Sequence, residues 1–211
     1  MMLINPFMVS PSIPASTRIL MPFTTASGFT DTANSHGITV LGSPTITALG
    51  GVFDNGALLV SSAAYVRVNS TSTLDLSAKT PFTLECYVYI TGGTGASGFL
   101  SMRNSGSYVP IVANKNSIMI GNSALNNWAT LAGTIPLNTK MHVAIVGDGT
   151  NIKIYIGGAL TGTTAHPSWT STNRFLNIGY DFSGSMTGYI SSLRFSNVAV
   201  YTSNFTPPSS F

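Results

Sequence analysis

FTLECYVYI, residues 82–90, decides the fold. Its alternation places Phe82, Leu84, Cys86, Val88 and Ile90 on one face and Thr83, Glu85, Tyr87 and Tyr89 on the other, which is the period of a β-strand. The first set is the predicted core face. A second unit, MHVAIVGDGTNIKIYIGG at 141–158, ends an apolar run at Gly147-Asp148-Gly149 and resumes with Ile152, Ile154 and Ile156 alternating with Lys153 and Tyr155. Glycine and aspartate supply the turn conformations of a hairpin. Further strands are predicted at 18–23, 57–60, 65–68, 99–103, 117–120, 175–179 and 189–195. The last has mixed alternation, so both its faces should be partly covered.

Helical periodicity is nearly absent, no repeat recurs at a fixed period, and about a dozen strands in one domain need two packed sheets. The expected fold is all-β, a two-sheet antiparallel jelly-roll sandwich. The 211 residues suffice for one such domain with a sizeable core. Only 7% of them are charged, against about 25% in an average soluble domain. The exposed surface is therefore built from Ser, Thr, Asn and Gly.

Nine Lys and Arg against six Asp and Glu give a net charge of +3, but the basic residues are spread singly along the chain. Without a cluster there is no stripe to track phosphates, so no nucleic-acid partner is expected. The single cysteine, Cys86, excludes an internal disulfide and reads as a small core residue. The opening MMLINPFMVSPSIPASTRILMPF has no basic residue before Arg18 and is broken by Pro6, Pro11 and Pro14. Neither a signal peptide nor a membrane span is expected. Residues 1–17 read as an extended arm and 18–211 as the sandwich. The arm's Leu3, Ile4, Phe7, Met8, Val9 and Ile13 are too apolar to leave in water at about 25 cal/mol per Å². They are the expected assembly contact with a neighbouring chain.

The order of the motifs then matters. LMPFTTASGFTDTANSHGITVLGSPTI comes first, followed by the segments containing FTLECYVYI and GDGTNIKIYIGG. The chain closes with Gly188-Tyr189-Ile190, Leu193-Arg194-Phe195, Val198-Ala199-Val200-Tyr201 and Asn204-Phe205-Thr206-Pro207-Pro208. Over roughly 18–208 this series resembles the laminin-G-like, concanavalin A-like jelly roll, in the version carried by virion proteins of tailed bacteriophages. The resemblance implies a closing segment that folds back over the sandwich, its aromatics filling a groove at the sheet edge. It also implies a virion location, other virion proteins as partners and self-association into a homo-oligomer. Where relatives commonly carry an acidic pair after Gly188-Tyr189-Ile190, this chain has Ser191 and Ser192. No metal or other cofactor is expected.

Glycoside hydrolysis needs two carboxylates flanking one bond. The E-x-D-x-x-E strand of this fold's glucanases does not occur, and Asp31, Asp54, Asp75, Asp148 and Asp181 lie singly in turn-like contexts. His36, His142 and His166 are far apart, and no G-x-S-x-G elbow exists. No enzyme is expected. Sugar binding needs only stacking aromatics with polar neighbours. Tyr87, Tyr89 and Tyr155 on non-core strand faces, with Tyr108, Trp128 and Trp169 in or near loops, are the candidates for a glycan site or an interface. Two functions follow: a virion structural protein, either a decoration (capsid cement) or an appendage subunit anchored by its arm, or a carbohydrate-binding adhesin module that attaches the particle to glycans.

Overall fold

Period-two alternation becomes a pair of sheets in the computed structural model of the chain, which describes residues 14–61, 64–103, 105–106, 108–131, 133–169, 175–209 and 211. The strands are β1 (Thr17–Met21), β2 (Ile38–Leu41), β3 (Thr45–Leu49), β4 (Phe53–Val60), β5 (Tyr65–Val68), β6 (Phe82–Gly93), β7 (Gly98–Ser101) and β8 (Ile111–Asn114). Then come β9 (Ser117–Gly121), β10 (Trp128–Thr130), β11 (Lys140–Gly147), β12 (Asn151–Ile156), β13 (Ala159–Ala165), β14 (Leu176–Ile178), β15 (Tyr180–Asp181) and β16 (Gly184–Ser196). The one helical element among the described residues is a three-residue 3-10 turn, Ser72–Leu74. No helix there is long and apolar enough to cross a membrane.

One sheet runs β13-β12-β11-β6-β16-β4-β3, with β1 paired to the far end of β16. The other runs β10-β9-β8-β7-β14-β5-β2. Every pairing is antiparallel except a short parallel contact, Ser185 to Gly98, where the start of β16 meets β7. The jelly-roll sandwich is therefore as expected. Leu84, Cys86, Val88, Val143, Ile145, Ile152 and Ile154 are buried between the sheets. Burial pushes the Cys86 thiol far up and leaves it inert.

The strands that the sequence did not announce are β2, β3, β8, β10, β13 and β15. All four residues of β8 are buried, so no alternation marks it. In β13, small and hydroxylated residues lie along an exposed sheet edge. Such a strand is held by its neighbour's backbone and needs no apolar face of its own.

Beyond β16 the chain crosses back over the outer face of the first sheet. The Thr83 hydroxyl donates to the Val198 carbonyl at 2.8 Å and accepts from the Val200 amide at 2.9 Å. The rings of Tyr201 and Phe205 stack with centroids 3.5 Å apart. The Phe205 amide donates to Gly158 O at 3.0 Å, and the Leu160 amide to Asn204 Oδ1 at 2.9 Å. The strap then doubles back. The Tyr87 hydroxyl donates to the Pro208 carbonyl, and the Phe211 ring covers Tyr87 and the Arg194 guanidinium. The segment thus folds over the sandwich as the resemblance implied, but it covers the sheet face across β6, β11 and β12 as well as reaching the edge.

That cover changes the character of the outer face. Glu85 is fully buried. One carboxylate oxygen accepts from Arg194 Nε and Nη2 at 2.8 and 2.6 Å, and the other faces His142 Nε2 at 2.9 Å and accepts from the Tyr201 hydroxyl at 2.8 Å. The register explains the meeting, since Glu85 lies opposite Arg194 on β16 and beside Ala144 on β11, two residues from His142. Burial, reinforced by the Glu85 charge, raises the hydroxyl pKa of Tyr201 and Tyr87. Both stay protonated donors at neutral pH. The expected assembly residues Leu3, Ile4, Phe7, Met8, Val9 and Ile13 lie outside the described residues.

Candidate functional site

Three of the six predicted aromatics are buried. Tyr155 is 0% exposed beneath Tyr201 and Phe205, and Tyr87 lies under Phe211. Trp169 is buried and its indole N–H donates to Gly121 O at 2.9 Å. The expectation of a glycan site or interface on Tyr155 and Trp169 is corrected accordingly, since the protein's own strap and loop packing occupy those rings, while Tyr87 keeps only an edge on the cleft it shares with Phe53, Lys140 and Phe211. Tyr89 is half-buried and meets Tyr189 edge-on across β6 and β16.

Tyr108 and Trp128 do come together, at one end of the outer face of the second sheet. The row Thr39, Arg67, Asn177, Ser101, Val112, Met119 and Thr130 crosses seven strands as paired residues, and its middle members Asn177, Ser101 and Val112 are fully buried. Arg103 lies two residues beyond Ser101 and Trp128 two before Thr130, so both share this face. The Arg103 guanidinium sits between two rings, its carbon 5.0 Å from the centroid of Trp128 and 5.2 Å from that of Phe182. Tyr108 meets Trp128 edge-on at 4.6 Å.

Polar bonds fix each part of this cluster. Arg103 Nε donates to Ser105 O at 2.8 Å, Nη1 lies 3.8 Å from Asp181 Oδ2, and the indole N–H of Trp128 donates to Val109 O at 3.1 Å. Asp181 in turn accepts from the Ser101 hydroxyl and the Ser183 amide. Asn177 ties the cluster to the middle of the sheet by donating to Arg103 O at 2.7 Å and accepting from Arg67 Nε at 2.8 Å. Arg103 is only 7% exposed, whereas Tyr108 is 41% and Phe182 50% exposed. The result is a preorganised rim of open rings around a fixed cation. Arg103 and Phe182 went unrecognised in the sequence. The available signal was Asp181-Phe182-Ser183-Gly184, an aromatic at a turn tip with nothing nearby in sequence to bury it.

The histidines serve structure. His36 Nδ1 lies 2.6 Å from Asp31 Oδ2 and its Nε2 lies 3.0 Å from the Thr73 hydroxyl, bracing the turn. Burial alone would raise the Asp31 pKa, but hydrogen bonds from the Leu20 amide, the His36 ring and the Ala33 amide outweigh it and hold it below its ordinary 3.8. Burial pushes His166 below its ordinary 6.5. Among the described residues, no three His, Cys, Asp or Glu side chains gather into a metal-holding group.

These shifts fix the sign of acid lability. Below pH 6.5 the unfolded His166 takes up a proton that the folded site refuses, so stability falls. Below 3.8 the unfolded Asp31 protonates before the folded one, and stability falls again. The melting temperature should therefore decline in two stages between pH 8 and 3. His166→Gln should remove only the upper stage, and a wild-type profile flat from pH 7 to 5 would refute that assignment.

Residues 60–203 match the laminin G-like domain family of the concanavalin A-like lectin/glucanases superfamily, and the chain belongs to that family. No curated protein matches the sequence. Among solved structures, the fold is similar to domain 4 of an extracellular arabinanase of family 43 from Geobacillus stearothermophilus, solved with arabinotriose. That likeness has 16% identity and a TM-score of 0.61, over 88% of this chain and 94% of that one. It is also similar to the binding domain of botulinum neurotoxin serotype C1, at 12% identity and a TM-score of 0.67 over 88% of this chain. The binding domain of botulinum neurotoxin DC, solved in complex with rat synaptotagmin II, gives 13% identity and a TM-score of 0.63 over 90% of this chain. The chain spans about half the length of these neurotoxin domains. Such likenesses carry the fold, and fold alone does not assign an activity.

Proposed function

We propose that the domain is a non-enzymatic glycan-binding module, carried on a virion, and that the rim of Arg103, Trp128, Phe182 and Tyr108 holds the sugar. The observation that carries this reading is the half-exposed pair Tyr108 and Phe182 set around a buried, immobilised arginine. A sugar ring offers an apolar face to stack and hydroxyls to bond, and rings held in place take it with little ordering cost. The solved arabinanase domain bound to arabinotriose supports the reading, because it shares this sandwich. The virion setting rests on the resemblance of the closing segment to phage virion proteins. There the module would hold host or environmental glycans while its arm and copies of itself meet other virion proteins.

The test is a glycan array with immobilised bacterial and plant polysaccharides. The intact chain should be retained, in EDTA as well as in calcium. Trp128→Ala and Phe182→Ala should each weaken retention at least tenfold, while Val198→Ala, on the strap of the other sheet, should leave it unchanged. No reducing ends should appear on prolonged incubation, since Glu85 is sealed and the aspartates stand apart. Failure of every glycan to retain the chain would overturn the reading.

A further inference from the structure

The rim does not stand by itself on its face of the sheet. Tyr65 on β5 and Tyr180 on β15 stack with centroids 4.4 Å apart and planes 13° from parallel, and both remain partly exposed. Tyr65 precedes Arg67 by two residues and so shares the outward face with Arg67 and Asn177. The segment Tyr180-Asp181-Phe182 links this pair to the rim. Asp181 turns inward to Ser101, while its two neighbours contact Tyr65 on one side and Arg103 on the other.

From β5 to β10 the order is β5-β14-β7-β8-β9-β10. Five inter-strand steps of about 4.8 Å separate the backbones of β5 and β10 by roughly 24 Å across the sheet. That span exceeds a single sugar ring several times over. Both ends carry aromatics, and the Arg67–Asn177–Arg103 chain of hydrogen bonds braces the sheet from beneath, with Asn177 fully buried.

We infer that this face binds an unbranched polysaccharide along an internal stretch, with the Tyr65–Tyr180 pair as a second stacking station distant from the Trp128 rim. The inference rests on the glycan-binding reading and adds to it the class of ligand, a linear chain read lengthwise in place of a terminal sugar. Two stations on one rigid sheet act as linked sites, so a chain long enough to reach both binds more tightly than one that reaches either.

Calorimetric titration with cello-, laminari-, xylo- and chito-oligosaccharide ladders, from disaccharide to hexasaccharide, tests this. For the series that binds, affinity should climb with each added residue up to the pentasaccharide or hexasaccharide. Tyr65→Ala should weaken hexasaccharide binding about tenfold while leaving disaccharide binding within twofold, whereas Phe182→Ala should weaken both. Melting curves of the variants confirm folding, and Tyr65→Phe, which keeps the ring, should restore hexasaccharide binding. Affinity independent of length, with Tyr65→Ala silent, overturns the linear-chain inference and leaves the glycan-binding module standing. Absence of binding across every ladder and polysaccharide, or a preference for oligo-dT over all of them, overturns both.

Discussion

Glu85→Ala should destabilise the domain by about 3–5 kcal/mol, because it removes the shared acceptor of Arg194, His142 and Tyr201 and leaves a buried guanidinium without its partner. The carboxylate is fully buried and the Arg194 side chain is only 13% exposed, so water replaces little of what is lost. Glu85→Gln keeps the shape and one carbonyl oxygen as an acceptor, and should cost less than Glu85→Ala. Urea titrations that shift the midpoint without changing the slope would measure both. A Glu85→Ala midpoint within about 1 kcal/mol of wild type would mean that the network contributes little.

Gly158→Ala should release the strap. Gly158 has φ of +81°, a conformation that costs an L-residue about 1–3 kcal/mol, and a Cβ there would collide with the Phe205 carbonyl that crosses directly above it. Backbone cannot rotate aside as a side chain can, so the Phe205–Gly158 hydrogen bond breaks and the stacked Tyr201–Phe205 pair lifts from Tyr155. Chymotrypsin should then cleave after Tyr201 and Phe205 under conditions that leave the wild type intact, with a loss of about 2–3 kcal/mol in stability. A variant as resistant as the wild type would show that the strap is held chiefly elsewhere.

The core was legible because alternation in 82–90 and 152–156 has one physical meaning, an inward row and an outward row. What alternation cannot report is whether the outward row meets water. Thr83, Glu85, Tyr87 and Tyr89 form the polar-aromatic row that a solvent face would carry, and the segment that seals most of it begins more than 100 residues later, since Thr83 and Val198 are 115 apart. Tyr108 and Trp128 stood out as aromatics in loops, which no local partner explains. Arg103 did not, because the Asp181 that orients it binds Ser101 across a separation of 80 residues, and a lone arginine at a strand end reads as ordinary surface.

β16 is the sixteenth strand in chain order, yet it lies at the middle of its sheet, pairing with β6, β4 and β1 and touching β7 of the other. On the ribosome, β6 is therefore made long before its neighbour exists. At about 5–20 residues per second, roughly ten seconds pass between the two. During that interval Phe82–Gly93, with its apolar inward row, presents an unpaired hydrogen-bonding edge. A nascent chain that stalls short of Gly184 lacks the central strand of the first sheet and cannot close the sandwich. Such a fragment is a client for a holding chaperone, and a message truncated before that codon should yield insoluble product in place of a smaller folded domain.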